Sequence, residues 1–440
     1  MLRALAIPLL LASPLAAQDF FTLKGHGGPI MDITVSPAGQ IATASFDNSV
    51  GLWIDRSPAW LEGHRAAVNT VAFVKDDVLG SAGDDNSLRL WSIARQKTYQ
   101  IDGHTAKIVD IAVAPNGDTI ATASWDATVG LSSWSQIQTS ADTVALTTNR
   151  LKGHKQGVNA LAFSQDGQRL YSASVDGTIR EWSFLDPAPV SRVIVKHGFG
   201  VNELVVNDTD GWLAYGAADG GTRLIDLETG AQIADFSMDR RPILSMTYDP
   251  QAHRLAVGDG HGYIMMIDTQ ALQITHDFRA TTRGPIWALA FSTDGRNIHS
   301  GGIEDIVYSW PVATLDEHGT MSPQTRSFLE DPDALPNGER QFKRKCSICH
   351  TLSEGSARRA GPSLHNLFGR RAGTVPDYTY SETLYNSEII WSSDTINALF
   401  DEGPDHYIPG TKMPMQRITQ QGDRDDLITY LRHATQTQEN

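Results

Sequence analysis

The residues best suited to chemistry in this 440-residue chain are its two cysteines, Cys346 and Cys349, and the histidine that follows them, His350. Two thiols at this spacing can add to the two vinyl groups of a haem, while the adjacent imidazole ligates the iron. The same C-x-x-C-H pattern also occurs in zinc sites and thioredoxin-like dithiols, but the chain has no second cysteine pair. The motif therefore predicts one covalently bound haem c and a role in electron transfer.

A second iron ligand is available at Met413, in the segment YIPGTKM that begins at Tyr407. A thioether sulfur is a soft ligand that favours Fe(II) and raises the reduction potential relative to two histidines. With both axial positions filled, the iron has no open site for O₂ or peroxide. We therefore expect an electron carrier and not an enzyme.

The net charge and the N-terminal sequence limit which partners and which location are expected. A formal net charge of −15 makes nucleic acid an unfavourable partner. Residues 1–17 contain Arg3, an apolar run over Ala4–Leu11 and small residues before Gln18, which predicts a cleaved export signal rather than a frayed apolar end. This run is too short to span a bilayer and no later run is long enough. We expect a periplasmic protein, soluble or peripherally associated, with no transmembrane segment after cleavage.

The N-terminal two thirds of the chain repeats with a period of about 38 to 50 residues, typical of a four-stranded propeller blade. A unit contains an apolar strand, a polar turn, a small-residue strand, an aspartate and a strand that closes on tryptophan. Four units open with a Gly-His pair, at Gly25-His26, Gly63-His64, Gly103-His104 and Gly153-His154. Three later units lack the pair but keep the strand rhythm, and they end at Ile225, Ile267 and Trp310.

This pattern resembles the WD-repeat family, and the resemblance implies an all-β, seven-bladed propeller over residues 18–314. Phe20–Leu23 should pair with the unit ending at Trp310, because a borrowed outer strand closes the ring and removes its free edges. Such propellers generally bind proteins.

In that family a histidine, a serine or threonine, an aspartate and a tryptophan form a buried hydrogen-bonded set within each blade. The resemblance implies two full sets, His26–Ser45–Asp47–Trp53 and His154–Ser174–Asp176–Trp182. Gly83 would take the serine position of the second blade. Ser132 would take the tryptophan position of the third, which keeps His104, Ser124 and Asp126. These histidines are then structural rather than ligands, whereas His197 and the later histidines fit no repeat position. The propeller sequence shows no cluster with metal-ligand spacing and no pairing of a nucleophile with a base.

Residues 315–334 lose the repeat, carry prolines and acids, and predict a partly ordered linker. Residues 335–440 are similar to mitochondrial-type class I cytochromes c. The resemblance rests on CSICH, the segment Gly361–Arg370, Tyr380, Trp391, YIPGTKM and the last apolar helix. It implies a multidomain chain in which an all-α class I cytochrome c domain with one haem follows the propeller.

The resemblance also implies roles for individual residues. Cys346 and Cys349 would hold the haem covalently, and His350 and Met413 would be the axial ligands. The carbonyl of Pro362 would accept the other ring proton of His350. The remaining cofactor-binding positions are Arg370, Tyr380, Trp391 and Thr411, of which Tyr380 and Trp391 would hydrogen-bond a haem propionate and Arg370 would offset its charge. The first and last helices should cross with Gly338 and Phe342 facing Leu427 and Tyr430.

Three features depart from this family. Phe400 replaces a tyrosine whose hydroxyl would reach the ligand sulfur, and Met415 replaces an aromatic residue. Asp405 and His406 occupy two positions of the lysine ring that this family carries around the haem edge. The remaining basic residues, including Lys343–Lys345, Arg358, Arg359 and Lys412, are expected to steer a redox partner with an acidic docking patch.

Three functions fit these features. The first is an exported electron carrier whose propeller docks a protein partner. The second is an oxidoreductase whose propeller binds a substrate or a second cofactor, as in nitrite reductases that join a haem domain to a propeller. The third is a redox-sensing adaptor in which the haem state changes what the propeller binds. The WD-repeat character of the propeller favours the first.

Overall fold

A computed structural model describes residues 20–139, 143–145, 150–185, 189–240, 242–281, 284–318 and 335–436. The predicted export signal and nearly all of the predicted linker lie outside these ranges. The predicted domain boundaries stay predictions. Across the described residues, no helix is both long and apolar enough to cross a membrane.

The first four blades are antiparallel sheets whose second strands are buried along nearly their whole length. Blade 1 holds β2 Ile30–Val35, β3 Ile41–Ser45, β4 Ser49–Ile54 and β5 Ser57–Glu62, and blade 2 holds β6 Val68–Lys75, β7 Val78–Gly83, β8 Leu88–Ser92 and β9 Lys97–Asp102. Blade 3 holds β10 Ile108–Val113, β11 Thr119–Ser124, β12 Thr128–Ser133 and β14 Arg150–Lys152, with helix α1 Trp134–Ile137 after β12 and strand β13 Thr143–Ala145 added in parallel to β9. Blade 4 holds β15 Val158–Phe163, β16 Arg169–Ser174, β17 Thr178–Ser183 and β18 Val190–Lys196.

The last three blades complete the ring. Blade 5 holds β19 Val201–Asn207, β20 Trp212–Ala217, β21 Thr222–Asp226 and β22 Gln232–Asp235, and blade 6 holds β23 Ile243–Asp249, β24 Arg254–Asp259, β25 Tyr263–Asp268 and β26 Gln273–Arg279. Blade 7 joins β27 Ile286–Phe291, β28 Asn297–Gly302 and β29 Ile306–Pro311 to β1 Phe21–Lys24, which pairs with β29. The inner strand of each blade packs against those of its two neighbours. The predicted seven blades and the closure by the first strand are confirmed.

Within blade 1 the hydroxyl that completes the histidine set belongs to Thr43, so the expectation of Ser45 was wrong. His26 Nδ1 lies 2.9 Å from an oxygen of Asp47, and its Nε2 lies 2.7 Å from Thr43 Oγ1. Trp53 Nε1 donates to the same hydroxyl oxygen at 2.9 Å. Ser45 instead donates to the carbonyl of Gly28. The two residues share a face of one strand, so period-two patterning could not separate them.

The same correction applies to the next three blades. In place of Gly83, Ser124 and Ser174, the hydroxyls that meet the histidine rings are those of Ser81, Thr122 and Ser172. In blades 1 and 3 a glycine stands opposite the hydroxyl residue and leaves room for the ring, whereas blades 2 and 4 have arginine at that position. In blade 1 a Cβ on Gly51, opposite Thr43 in the sheet, would lie 3.0 Å from His26 Nε2. In blade 1, Gly51 therefore leaves room for the imidazole beside Thr43.

Blade 5 also keeps a histidine–aspartate pair, which the sequence analysis missed. His197 Nε2 lies 2.9 Å from Asp219 Oδ1, and its Nδ1 lies 3.2 Å from the hydroxyl of Tyr215. The separation of 22 residues equals that of His104 and Asp126 in blade 3. The pair was missed because Lys196 replaces the glycine before the histidine and a tyrosine supplies the hydroxyl.

The chain continues past β29 as a 3₁₀ helix, Val312–Glu317. Leu315 in this helix is buried in a cluster with Trp310 and Ile286. Residues that the sequence analysis assigned to the start of the linker therefore pack against blade 7.

The C-terminal domain is helical. Its helices are α2 Asn337–Lys345, α3 Glu382–Tyr385, α4 Ser393–Glu402, α5 Pro404–Tyr407 and α6 Gln421–Ala434. Helices α2 and α6 cross as predicted, with the rings of Phe342 and Tyr430 5.7 Å apart. A Cβ on Gly338 would lie 2.1 Å from the carbonyl oxygen of Asp426, so the crossing requires glycine.

Candidate functional site

The candidate site begins where α2 ends. The N–H groups of Cys349 and His350 both donate to the carbonyl of Cys346, at 3.0 and 2.9 Å, which holds the motif in a tight turn. Both cysteines are buried and neither is in a disulfide. The turn therefore presents two sulfurs and one imidazole from five consecutive residues.

The ring of His350 is fixed through one nitrogen only. Its Nδ1 lies 2.8 Å from the carbonyl oxygen of Pro362, and because a carbonyl only accepts, Nδ1 carries the proton. Nε2 is then the nitrogen with a free lone pair, and it has no hydrogen bond to another described residue. A Cβ on Gly361 would lie 2.4 Å from His350 Cε1, so glycine is needed for the loop to pass beside the ring. The arrangement leaves Nε2 available as a ligand.

Burial decides the protonation of these groups. It raises the pKa of Cys346 to about 12 and that of Cys349 to about 11, and it lowers the pKa of His350. Metal-binding and redox-active cysteines react as thiolates, whereas these thiols are held neutral. Among the described residues, no group of three or more His, Cys, Asp or Glu could hold a metal ion. The two buried thiols and the adjacent imidazole are the groups that would form thioether bonds to a haem and ligate its iron.

Arg359 supports the turn, a role that the sequence analysis did not foresee. Its Nη1 donates to the carbonyls of Ser347 and Ile348, at 2.8 and 3.1 Å. The residue had been assigned to partner steering because it belongs to a cluster of basic residues. Its basic neighbour Arg358 makes different contacts, on the propeller.

The side chain of Arg370 is held by backbone carbonyls of its own loop. Arg370 donates to the carbonyls of His365 and Ser363, at 2.5 and 2.8 Å. The hydroxyl of Tyr380 accepts a long hydrogen bond of 3.4 Å from the N–H of Val375. Accepting that bond leaves the hydroxyl proton of Tyr380 free to donate.

Trp391 packs against the core that contains Cys346. Its indole N–H donates to no other residue in the described part of the chain. The O–H of Tyr380 and this N–H are thus both available to an acceptor supplied by a cofactor. A haem propionate would be such an acceptor.

The candidate sulfur ligand lies in the turn after α5. The N–H of Met413 donates to Thr411 Oγ1 at 3.2 Å, and the N–H of Thr411 donates to the carbonyl of Ile408 at 3.0 Å. Met413 packs against the same core as Cys346. The structure thus brings the methionine and the C-x-x-C-H turn to one cluster, although 63 positions of sequence separate Met413 from His350.

Lys412, beside the methionine, turns away from it. Its Nζ donates to the carbonyl of Thr379 at 3.0 Å. Burial lowers the pKa of Lys412, as does the charge of Arg65 in blade 2, while Asp85 opposes the shift.

Two of the departures from the family have visible consequences. Phe400 is buried in the haem-domain core, where it offers no hydroxyl to the sulfur of Met413. Met415 is 53% exposed. The core cluster, the free Nε2 of His350 and the available donors of Tyr380 and Trp391 together fit a haem.

The propeller contains a second kind of ionisable site that the sequence did not reveal. Asp32 and Asp110 lie half-buried on inner strands and accept N–H groups of Val71 and Leu161 in the neighbouring blades, at 2.9 and 2.6 Å. Burial raises the pKa of Asp32 to about 6. Burial, and after it the charge of Asp32, raises the pKa of Asp110 to about 7. These carboxyls tie adjacent blades together.

Comparison with known families and proteins agrees with both halves of the structure. Residues 335–435 match the family described as cytochrome c. The family described as WD domain, G-beta repeat, matches residues 18–53, 57–92, 95–131 and 146–183. The match therefore covers the four blades that open with a Gly-His pair.

Individual relatives cover the haem domain. The chain is 43% identical over 112 residues to a cytochrome c of Sesamum indicum, covering 25% of this chain and 98% of that protein. It is 42% identical over 110 residues to a cytochrome c of Ginkgo biloba, covering 25% of this chain and 96% of that protein. A cytochrome c of Cochliobolus lunatus is 42% identical over 107 residues, covering 24% of this chain and 97% of that protein.

Proposed function

Because the chain belongs to the cytochrome c family through its C-terminal domain, we propose that it carries single electrons through one haem c ligated by His350 and Met413. Such a haem supplies a reversible one-electron change at its iron. The observation that carries the proposal is the state of His350, whose Nδ1 is bound to the Pro362 carbonyl while Nε2 remains free. The WD-repeat propeller indicates a protein-interaction module beside this carrier.

The chain's own residues divide the work of holding the group. Cys346 and Cys349 anchor it covalently, so that repeated oxidation and reduction cannot release it. The Pro362 carbonyl sets the tautomer and orientation of His350. The turn made by Thr411 presents the sulfur of Met413. Arg370, Tyr380 and Trp391 offer a charge and two hydrogen-bond donors to the propionates.

The assignment of Met413 is tested by Met413→Ala in the haem-loaded protein. We expect loss of the iron–sulfur absorption band and a lower reduction potential, because a soft sulfur ligand favours Fe(II). The matched control is Met415→Ala, which removes an exposed methionine two residues away. It should leave the band and the potential unchanged. An intact band in Met413→Ala, or its loss in Met415→Ala, would assign the ligand to another residue.

The proposed redox partner is a protein with an acidic docking patch. The last turn of α2 carries Lys343, Arg344 and Lys345 directly before the haem motif; Arg344 is exposed, whereas Lys343 forms an ion pair of 2.9 Å with Glu339. Exposed charges of one sign raise association rates in a salt-dependent manner. The rate of electron exchange with an acidic redox protein should therefore fall as salt is added, and Arg344→Glu should lower it at low salt. A rate independent of both would remove this surface from the proposal.

We further infer that the protein is exported to the periplasm and that its propeller recruits a protein partner. The support is the N-terminal sequence pattern and the WD-repeat family match. Mass spectrometry of the mature protein should find Gln18 at the N terminus, and an intact Met1 would contradict export.

Full-length protein should retain a native partner that residues 335–440 alone do not, and equal retention would contradict a docking role for the propeller.

A further inference from the structure

One loop of the haem domain touches the propeller. Arg358 lies between α2 and α3, and its guanidinium carbon is 4.2 Å from the ring centroid of Trp60. Its Nη2 lies 2.8 Å from Glu62 Oε1. Trp60 and Glu62 both belong to β5, the outer strand of blade 1. A planar cation therefore stacks on an indole and pairs with a carboxylate two residues away, an arrangement well suited to arginine.

The backbones of the two domains also approach closely at this point. A Cβ on Gly27 would lie 2.3 Å from the carbonyl oxygen of Arg358 and 2.4 Å from that of Ala357. Ala357 and Arg358 have φ of 45° and 53°, a left-handed conformation that non-glycine residues rarely adopt. The loop therefore adopts an unusual conformation where it meets blade 1.

Blade 1 differs from its sister blades at this contact. Gly27 directly follows His26, and its N–H donates to Asp47 at 2.8 Å. The equivalent N–H groups in the next three blades belong to Arg65, Thr105 and Lys155. Each of those residues would place a side chain where the haem-domain loop lies in blade 1. Among these four blades, only blade 1 can accept the loop.

We propose that the blade 1 rim, formed by Gly27, Trp60 and Glu62, is the docking site for the chain's own haem domain through the Ala357–Arg358 loop. Shape identifies the occupant, because Gly27 leaves room for the carbonyls of Ala357 and Arg358. Charge does so as well, because the Glu62 carboxylate pairs with the Arg358 guanidinium. Tethering makes the contact intramolecular, so a weak interaction suffices to populate it. Docking occupies Arg358, which the sequence analysis had assigned to partner steering, and leaves the exposed Arg344 on α2 for a partner.

The docked form is reversible by salt. The side chain of Glu62 is 67% exposed and that of Arg358 is 31% exposed. Exposed ion pairs are weak and are screened by added ions. The haem domain is therefore docked at low ionic strength and released when the pair is screened.

Small-angle X-ray scattering on the full-length, haem-loaded protein tests docking. The wild type should be compact at low salt and larger in radius of gyration near 1 M salt, where the Debye length is about 3 Å. Glu62→Arg and Arg358→Glu should each give the larger radius at low salt, because like charges then face each other. The double variant should restore the compact form. Arg344→Glu, which changes an exposed arginine away from the contact, should behave as the wild type.

A second variant tests shape without changing charge. Gly27→Thr introduces the residue that blade 3 carries at this position, so blade 1 should tolerate it. It should give the larger radius at low salt with an unchanged propeller melting temperature. Wild-type dimensions in Gly27→Thr and in both single charge variants, or a double variant no more compact than the singles, would overturn the proposal. The haem spectrum and the reduction potential are recorded in parallel, so loss of docking is distinguishable from loss of electron transfer.

Discussion

The histidines of the propeller and the histidine of the haem domain use the same side chain in opposite ways. In blades 1 to 4 both ring nitrogens are occupied, Nδ1 by an aspartate and Nε2 by a hydroxyl, as His26 shows with Asp47 and Thr43. In the haem domain only Nδ1 of His350 is occupied, by a backbone carbonyl. The number of ring nitrogens that the protein itself satisfies therefore separates a structural histidine from a candidate ligand.

The largest effect is expected from removing the two cysteines that would anchor the haem. In the variant with Cys346→Ala and Cys349→Ala, no haem should remain attached after acid–acetone extraction. The melting transition of the propeller should not move, because the anchors belong to a separate core. Met415→Ala is the control that should keep its haem. Covalent haem in the double variant would mean that another residue forms the bond.

A smaller effect is expected on the propeller side. Asp47→Ala removes a buried carboxylate that accepts hydrogen bonds from His26, Gly27 and Ser49. Loss of one partner from a buried charged network costs about 3–5 kcal/mol in the free energy of unfolding. Denaturant unfolding followed by tryptophan fluorescence measures this cost, and the haem spectrum should be unaltered.

Asp76 provides the matched control for that measurement, because it is an exposed aspartate in a turn of blade 2. Asp76→Ala should change the free energy of unfolding by about 0.5 kcal/mol or less. If Asp47→Ala were equally mild, the histidine–aspartate pair would not be a main support of blade 1.

The smallest expected effect is on the pH dependence of the free energy of unfolding, which should distinguish two classes of propeller carboxylate. Burial raises the pKa of Asp85, but the hydrogen bonds from His64, Arg65 and Ser87 and the charge of His64 together outweigh it and bring the pKa down to about 2, so its stabilisation is lost only in acid. Asp110 has a pKa of about 7, above its ordinary value of 3.8. The folded state then binds the extra proton, and the contribution of Asp110 to stability is lost as pH rises from about 4 to about 7.

Asp110→Asn should therefore flatten the decline in the free energy of unfolding between pH 4 and pH 7. The expected difference is about 1–2 kcal/mol across this window, reduced from the full linkage value because the residue is only half-buried. Asp76→Asn should keep the wild-type slope. An unchanged slope in Asp110→Asn would mean that Asp110 titrates at an ordinary pKa.

Much of the fold was predictable because its signals are local. The Gly-His pairs and the small-residue strands recur in each of the first four blades and a closing tryptophan in three of them, so the repeat and its count followed from the sequence. The hydroxyl partner did not, because Thr43 and Ser45 share a face of one strand and only the position of the imidazole ring distinguishes them. His197 was missed because Lys196 and Tyr215 disguise its place in the repeat. Arg359 was misassigned because a run of basic residues does not reveal which of them caps a turn.

The sequence by itself determined the two domain types and the spacing of the C-x-x-C-H motif, because repeat periods and short motifs depend only on neighbours along the chain. Tertiary structure alone decided which groups meet from distant segments, such as Arg358 with Trp60 and Glu62. It also decided the raised pKa of Asp110, which comes from burial on an inner strand and from Asp32 in another blade. Burial and contact depend on the path of the whole chain, which local patterns do not specify.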